Sequence, residues 1–264
     1  MPRPTLAASP RAPWAWAAAG AVVGLLLALV LFVPASWLAH RVEAATDGRI
    51  LLREPRGTLW TGSARVVLTG GRGSTDAAAL PSRLTWRVRP AVAGLHVLLQ
   101  TECCMPQPVG LDWRPGWGRA TLAVADSRSL WPAGLLVGLG TPWNTLQLEG
   151  DLDLATKGLS LEWSAGRLAV AGSLEVVARR AASRLTTLRP MGSYRLVLSG
   201  GDVPNLQLTT LEGSLQLTGS GQWIGSRLRF NGEASAAPER EAALGNLLNI
   251  IGRRNGARSI ITIG

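Results

Sequence analysis

The sequence predicts a mainly β chain: a single N-terminal transmembrane helix, then an antiparallel meander sheet curved into a half-pipe, with a short amphipathic helix near the C-terminus. Three observations carry this reading. An uncharged apolar run extends from Trp14 to Val33. Leucine and valine then alternate with polar residues through most of the remaining chain, the period of two that marks a half-buried strand. Finally, 31 glycines and 11 tryptophans favour short strands and tight turns over long helices.

Taken in order, residues 1–13 are expected to form a cytoplasmic tail, 14–33 the anchor, 34–48 a juxtamembrane helix and 49–264 a periplasmic β domain. About 20 residues at 1.5 Å each span a hydrocarbon core of roughly 30 Å. A cleaved signal peptide is the competing reading. Its apolar core usually runs about 7–15 residues to a small-residue cleavage site, whereas Val33-Pro34-Ala35-Ser36-Trp37 continues bulky. Arg3 and Arg11 precede the run, and a short basic N-terminus is readily kept in the cytoplasm.

Residues 35–47 lack a helix breaker until Gly48, so a short amphipathic helix is expected there, with Trp37 at the membrane interface. Strands then begin at Ile50-Leu51-Leu52. Gly57 to Ala64 turns the chain into another strand through Val66-Val67-Leu68, and Leu84, Trp86 and Val88 share one strand face. Leu146, Leu148, Leu152 and Leu154 alternate with Gln147, Glu149, Asp151 and Asp153 before a turn signal at Lys157-Gly158. Leu159, Leu161 and Trp163 follow, then a turn at Gly166, then Leu168, Val170, Leu174 and Val176. The period returns at Tyr194, Leu196 and Leu198, at Leu206 and Leu208, at Leu215 and Leu217, and at Leu228 and Phe230. Such brief links between strands read as a meander with one apolar and one polar face.

Leu130–Leu139 reads as a loop or short helical turn, and Val177–Leu188 as a short exposed helix ending before Pro190. Pro238 to about Arg253 opens with proline and acids and carries Leu244, Leu247, Leu248 and Ile251 at helical spacing, an amphipathic helix. Ser259 to Ile263 is a closing strand. The predicted helices are too small to cover so long a leucine face, which leaves a curled core or an apolar groove. Gly150, Gly172 and Gly219 would ease the bending.

Several functions are disfavoured. The net charge of +10 would suit nucleic acid, but Lys157 is the only lysine and the arginines are scattered, so no nucleic-acid partner is expected. Cys103 and Cys104 are adjacent, with only His40 and His96 elsewhere, too few ligands for a Cys/His metal site; the pair is reduced, bridged to itself or bridged to a partner. Asp151 and Asp153 read as solvated carboxylates, and His96 has no evident acid partner. Trp60, Trp86, Trp163 and Trp223 read as core fillers. No catalytic residue, metal or cofactor is expected.

With these segments laid out, the chain resembles the type II secretion system protein N family. The matching stretches are Phe32 to Ala39, Thr46 to Ile50, Gly57-Thr58-Leu59-Trp60-Thr61-Gly62-Ser63-Ala64, Gly221-Gln222-Trp223 through Arg227 to Phe230, and Leu244 to Arg254. Within the last, Asn246, Asn249, Arg253 and Arg254 join the motif positions as candidate interaction or structural residues. The resemblance implies a non-enzymatic, single-pass accessory of the bacterial inner membrane, with its C-terminal domain in the periplasm. It would support export of folded periplasmic proteins across the outer membrane through contacts with other inner-membrane components of that machine. The family is also similar, in its repeated strands, to AsmA-like and bridge-like lipid transporters. This implies an alternative, lipid or lipopolysaccharide binding along an apolar trough at Leu152, Leu154, Leu161, Val170, Leu196 and Leu198.

Overall fold

In a computed structural model that describes residues 14–164, 166–224 and 227–264, alternation is realised as one antiparallel sheet. Its strands are β1 (Ile50–Gly57), β2 (Thr61–Thr69), β3 (Ala77–Ala79), β4 (Leu84–Ala91), β5 (Gly94–Thr101), β6 (Val109–Gly116), β7 (Arg119–Val124) and β8 (Ser127–Pro132). They continue as β9 (Leu148–Ser164), β10 (Arg167–Ser183), β11 (Gly192–Gly201), β12 (Asn205–Gly213), β13 (Leu215–Ile224), β14 (Arg227–Ala236), β15 (Arg253–Asn255) and β16 (Arg258–Ile263). The spatial order is β1-β2-β4-β5-β6-β7-β9-β10-β11-β12-β13-β14-β16-β15, with β3 on β2 and β8 on β9. Neighbours in sequence are mostly neighbours in space, the meander that the short links predict.

Helix α1 covers Trp14–Leu31 and carries no charge. Its apolar side chains are exposed all round, Leu25 at 61% and Leu29 at 60%. Among the described residues no helix is long and apolar enough to cross a membrane, so the expected span over 14–33 is not met at that length. The last residues of the run are drawn away from the helix. Val33 gives its carbonyl to the Leu59 N–H at 2.8 Å, and Pro34 bridges to Thr58. Helix α2, Ala35–Ala45, follows as expected and packs along β1. Arg41 lies 5.0 Å above the exposed Trp37 ring.

Two expectations are corrected in the middle of the sheet. Lys157-Gly158 does not turn the chain; β9 runs on to Ser164, and the hairpin turn follows it. Pairing skips from Ser160–Ala171 to Lys157–Ser173, and Gly158 and Gly172 take φ of +56° and +75° at the skip. A glycine signal there becomes a bulge because hydrogen bonds to β10 hold the strand on both sides of it. Likewise Val177–Leu188 is not a helix. Val177 and Ala178 pair with Asp153 and Leu152 on one side and with Arg195 and Tyr194 on the other, and β10 continues to Ser183. A lone helix that short is marginal, whereas two flanking ladders satisfy most of the backbone to Ser183, and at the Arg180 bulge the N–H donates to Ser193 Oγ instead. Leu130–Leu139 divides into the end of β8 and a 3-10 segment, Ala133–Leu139.

The apolar face is covered in two places. Over the C-terminal half lies helix α4, Glu241–Ile251, inside the predicted amphipathic segment. Its Leu244, Leu247 and Leu248 are buried against Met191, Tyr194, Leu215 and Ala234. The Tyr194 hydroxyl donates to the Leu215 carbonyl at 3.1 Å, and burial pushes its pKa well above the ordinary phenol value. Over the N-terminal half lie α2, whose Ala35 packs on Ala64 and Trp86, and the 3-10 segment, whose Leu135 packs on Val66 and Leu80. A short helix α3, Trp143–Leu146, leads into β9.

On the opposite face Asp153 departs from the solvated carboxylate expected of it. Its residue is 8% exposed, beneath two guanidiniums. Arg128 on β8 binds both carboxylate oxygens at 2.9 Å, and Arg179 on β10 adds a third contact at 2.8 Å. Asp151 is half-exposed and meets Arg180 at 3.3 Å. The Arg128 hydrogen bond, with that of Arg179, holds the Asp153 carboxyl below its ordinary pKa against the opposing effect of burial. A lowered pKa contributes stability above the ordinary carboxylate value and loses it as pH falls through the folded value. Asp153→Asn should therefore destabilise the domain at pH 7 by about 1–2 kcal/mol, a modest figure because both arginines are water-exposed. In thermal melts the gap between variant and parent should close as pH drops well below about 3.9.

Candidate functional site

The segment Gly57-Thr58-Leu59-Trp60-Thr61-Gly62 forms the β1–β2 connection and also receives the end of the N-terminal helix. Most of its polar groups have a defined partner. Thr58 N–H donates to the Thr61 carbonyl at 2.9 Å, Thr61 N–H to Thr58 Oγ1 at 3.2 Å, and Val88 N–H to the Trp60 carbonyl at 2.7 Å. Trp86 Nε1 donates to the carbonyls of Thr58 and Leu59 at 3.2 and 3.1 Å. Trp60 Nε1 reaches back to the Val30 carbonyl at 2.9 Å. The tryptophans thus do more than fill space: their indole N–H groups tie turn, sheet and incoming helix together.

Two glycines make this possible. Gly57 has φ of +87°, which side chains rarely adopt. A Cβ on Gly62 would sit 2.5 Å from Trp86 Cζ2 and 2.7 Å from the Arg56 carbonyl oxygen, so the indole packs directly against bare backbone.

Behind the turn lies an apolar cavity of about 540 Å³. Leu38 and Val42 of α2 form one wall, Ile50, Leu52, Val66 and Leu68 of β1 and β2 the floor. Trp86, Val88, Leu95, Val97 and Leu99 of β4 and β5 continue it, and Trp131 and Leu135 close it, with Leu59 and Trp60 at the turn. No polar side chain lines it beyond the tryptophan rings. It opens to the outside, and its volume is in the range of small-molecule sites.

The expected trough residues lie elsewhere, on the same sheet face but further along. Leu154 pairs with Val176, which pairs with Leu196; Leu152 pairs with Ala178, Leu198 with Leu174, and Leu161 with Val170. Val170 is buried and the others are half-buried. None lines the cavity. Sequence reading missed Leu38, Val42, Leu95 and Leu135 as cavity residues; the apolar alternation of β5 was a signal, but nothing local indicated which strands α2 would cover.

The remaining motif positions are not brought together with the turn. Gly221, Gln222 and Trp223 end β13 and Arg227 starts β14, many strands away. Gly221 is buried beside the Phe230 ring, while Gln222 and Arg227 are exposed. Asn246 and Asn249 lie on the exposed side of α4, and Arg253 and Arg254 are exposed on β15. Of the four tryptophans read as core, Trp86 is buried, Trp60 and Trp223 are half-buried, and Trp163 is 43% exposed beside the β9–β10 turn.

His96 does have an acid partner: its Nδ1 lies 2.7 Å from Asp112 Oδ1 on the neighbouring strand, beyond the reach of sequence spacing. The cysteines are bridged to one another, Cys103 to Cys104, in the β5–β6 connection. Among the described residues no group of three or more His, Cys, Asp or Glu could hold a metal ion.

The turn makes a specific prediction. Gly62→Ala forces Trp86 or the Arg56 carbonyl to move and should cost about 1–3 kcal/mol in chemical denaturation. The near-ultraviolet circular dichroism of Trp86 should weaken with it; an unchanged midpoint and spectrum would show that the contact is slack.

Comparison with known proteins accords with this architecture. No curated protein and no solved structure matches the chain. Residues 48–261, nearly the whole sheet with its turn motif and α4, match the family model for protein N of the type II secretion system. The chain belongs to the type II secretion system protein N family.

Proposed function

We propose that this protein is a non-enzymatic accessory of the type II secretion system, held at the bacterial inner membrane by α1 and acting in the periplasm through contacts with other inner-membrane components. The match over residues 48–261 carries this reading. Helix α1 supports the membrane attachment: it has no charge, and its apolar surface is covered by no part of the sheet. It is shorter than a full span, and bilayers accommodate short apolar helices by local thinning. The Gly57–Gly62 turn would set the pose of the sheet relative to that helix. Candidate contact positions are the exposed Gln222, Arg227, Asn246, Asn249, Arg253 and Arg254.

Deleting the coding sequence in a bacterium with this secretion system should trap its folded substrates in the periplasm, and the full chain should restore their release. Undiminished secretion without the protein would overturn the proposal. Resistance to alkaline carbonate extraction reads the attachment separately.

The cavity favours a second reading, in which the domain holds an acyl chain. It differs from the trough expected from sequence in lying beside α2, under the end of α1. Mass spectrometry of the full chain purified in short-chain detergent should then find bound lipid near one per protein. Val97→Phe, which fills the cavity from β5, should release the lipid while the domain still melts cooperatively. Equal lipid on both would place it on the outside of α1 instead.

A further inference from the structure

Two hairpins rise beside the point where α1 meets the sheet. Thr61, Arg87, Leu98 and Gly110 form one row across β2, β4, β5 and β6, level with the β1–β2 turn. From that row β4 continues to Ala91, about 13 Å, and β6 to Gly116, about 20 Å. At strand spacing, their tips stand about 7 and 17 Å to the side of β2. Both tips therefore project past the turn on which the helix ends.

Their chemistry is unusual for a soluble surface. Val92 is 110% exposed and Trp117 is 103% exposed, one at each tip, with Trp113 at 39% below the second. Residues 85–95 and 113–121 contain Arg87, Arg89, Arg114 and Arg119 and no acidic residue. Among the described residues none of these arginines pairs with a carboxylate, although Arg65, Arg72, Arg83, Arg128, Arg179, Arg180, Arg184, Arg189, Arg195 and Arg258 do. The nearest acid on these hairpins, Asp112, is taken by His96. An apolar or indole side chain at the tip with unpaired cations behind it matches the layering of a bilayer surface, apolar outward of phosphate.

We propose that hairpins β4–β5 and β6–β7 rest in the headgroup layer of the membrane that α1 enters. Val92 and Trp117 sit in the interface, and the four arginines lie against anionic lipid phosphates. This rests on the reading of α1 as membrane-attached. Three attachment points, one helix and two tips, would fix the sheet's tilt and keep the cavity beside the turn close to the bilayer.

The test uses the full chain in nanodiscs of phosphatidylcholine, with or without phosphatidylglycerol. An environment-sensitive fluorophore is placed at Val92→Cys, Trp117→Cys or, as a control on exposed β15, Asn255→Cys; the native cysteines are closed as a disulfide. In phosphatidylglycerol discs the two tips should be blue-shifted and quenched about twofold more than the control by nitroxide-labelled lipid, and Arg114→Glu with Arg119→Glu should remove the difference. Tips no more quenched than the control, in a protein that resists carbonate extraction, would overturn the proposal and leave the anchor standing. Extraction by carbonate would overturn both. A tip response only on adding other inner-membrane proteins would assign the surface to a protein partner and overturn the lipid assignment.

Discussion

A single-layer sheet has one apolar face too wide for the helices available, and most of this structure is an answer to that constraint. Burial of apolar area is the main favourable contribution to folding, so the leucine face must find cover or remain costly. Helix α4 covers one half with three leucines almost inaccessible to water. The other half is covered by α2 and the 3-10 segment, which stand off far enough to leave the apolar cavity. The fold is thus closed at one end and roomy at the other, and the roomy end is where the N-terminal helix arrives.

The Gly57–Gly62 turn is where these demands meet. Its backbone accepts from Trp86 and gives to Thr61 and Val33, while Trp60 grips the Val30 carbonyl. Indole N–H groups suit this task because each offers a donor at the end of a large apolar ring. The ring covers the cavity wall while the donor satisfies a carbonyl that would otherwise be left unpaired. The two glycines allow the approach, one through its dihedral angle and one through its missing side chain.

Long strands need a second device. Strands β9 and β10 each run 17 residues, and extended strands of that length must twist and curl. Bulges at Gly158 with Gly172 and at Gly150 with Arg180 take up the mismatch without ending the ladder. Asp153 pins the outer side of the same region by joining three strands through two arginines. At the sheet's borders, β1 carries its own bulge and charged side chains and β15 is three residues long, both deterrents to edge pairing.

Period-two alternation is a local property, so the sequence by itself determined the mainly β fold, the apolar face, the amphipathic α4 and the closing strand. The family motif was also legible, because Gly-Thr-Leu-Trp-x-Gly needs two specific glycines and a tryptophan whatever surrounds them. Tertiary structure alone decided whether a glycine became a turn or a bulge, as at Gly158, since that depends on hydrogen bonds from a neighbouring strand. It also turned Val177–Ser183, the first part of a helical pattern, into a ladder, paired His96 with Asp112, and sank Asp153 under arginines from two other strands. The cavity belongs to this second group: its walls come from segments far apart in the chain, and no local pattern specifies how closely α2 will approach β5.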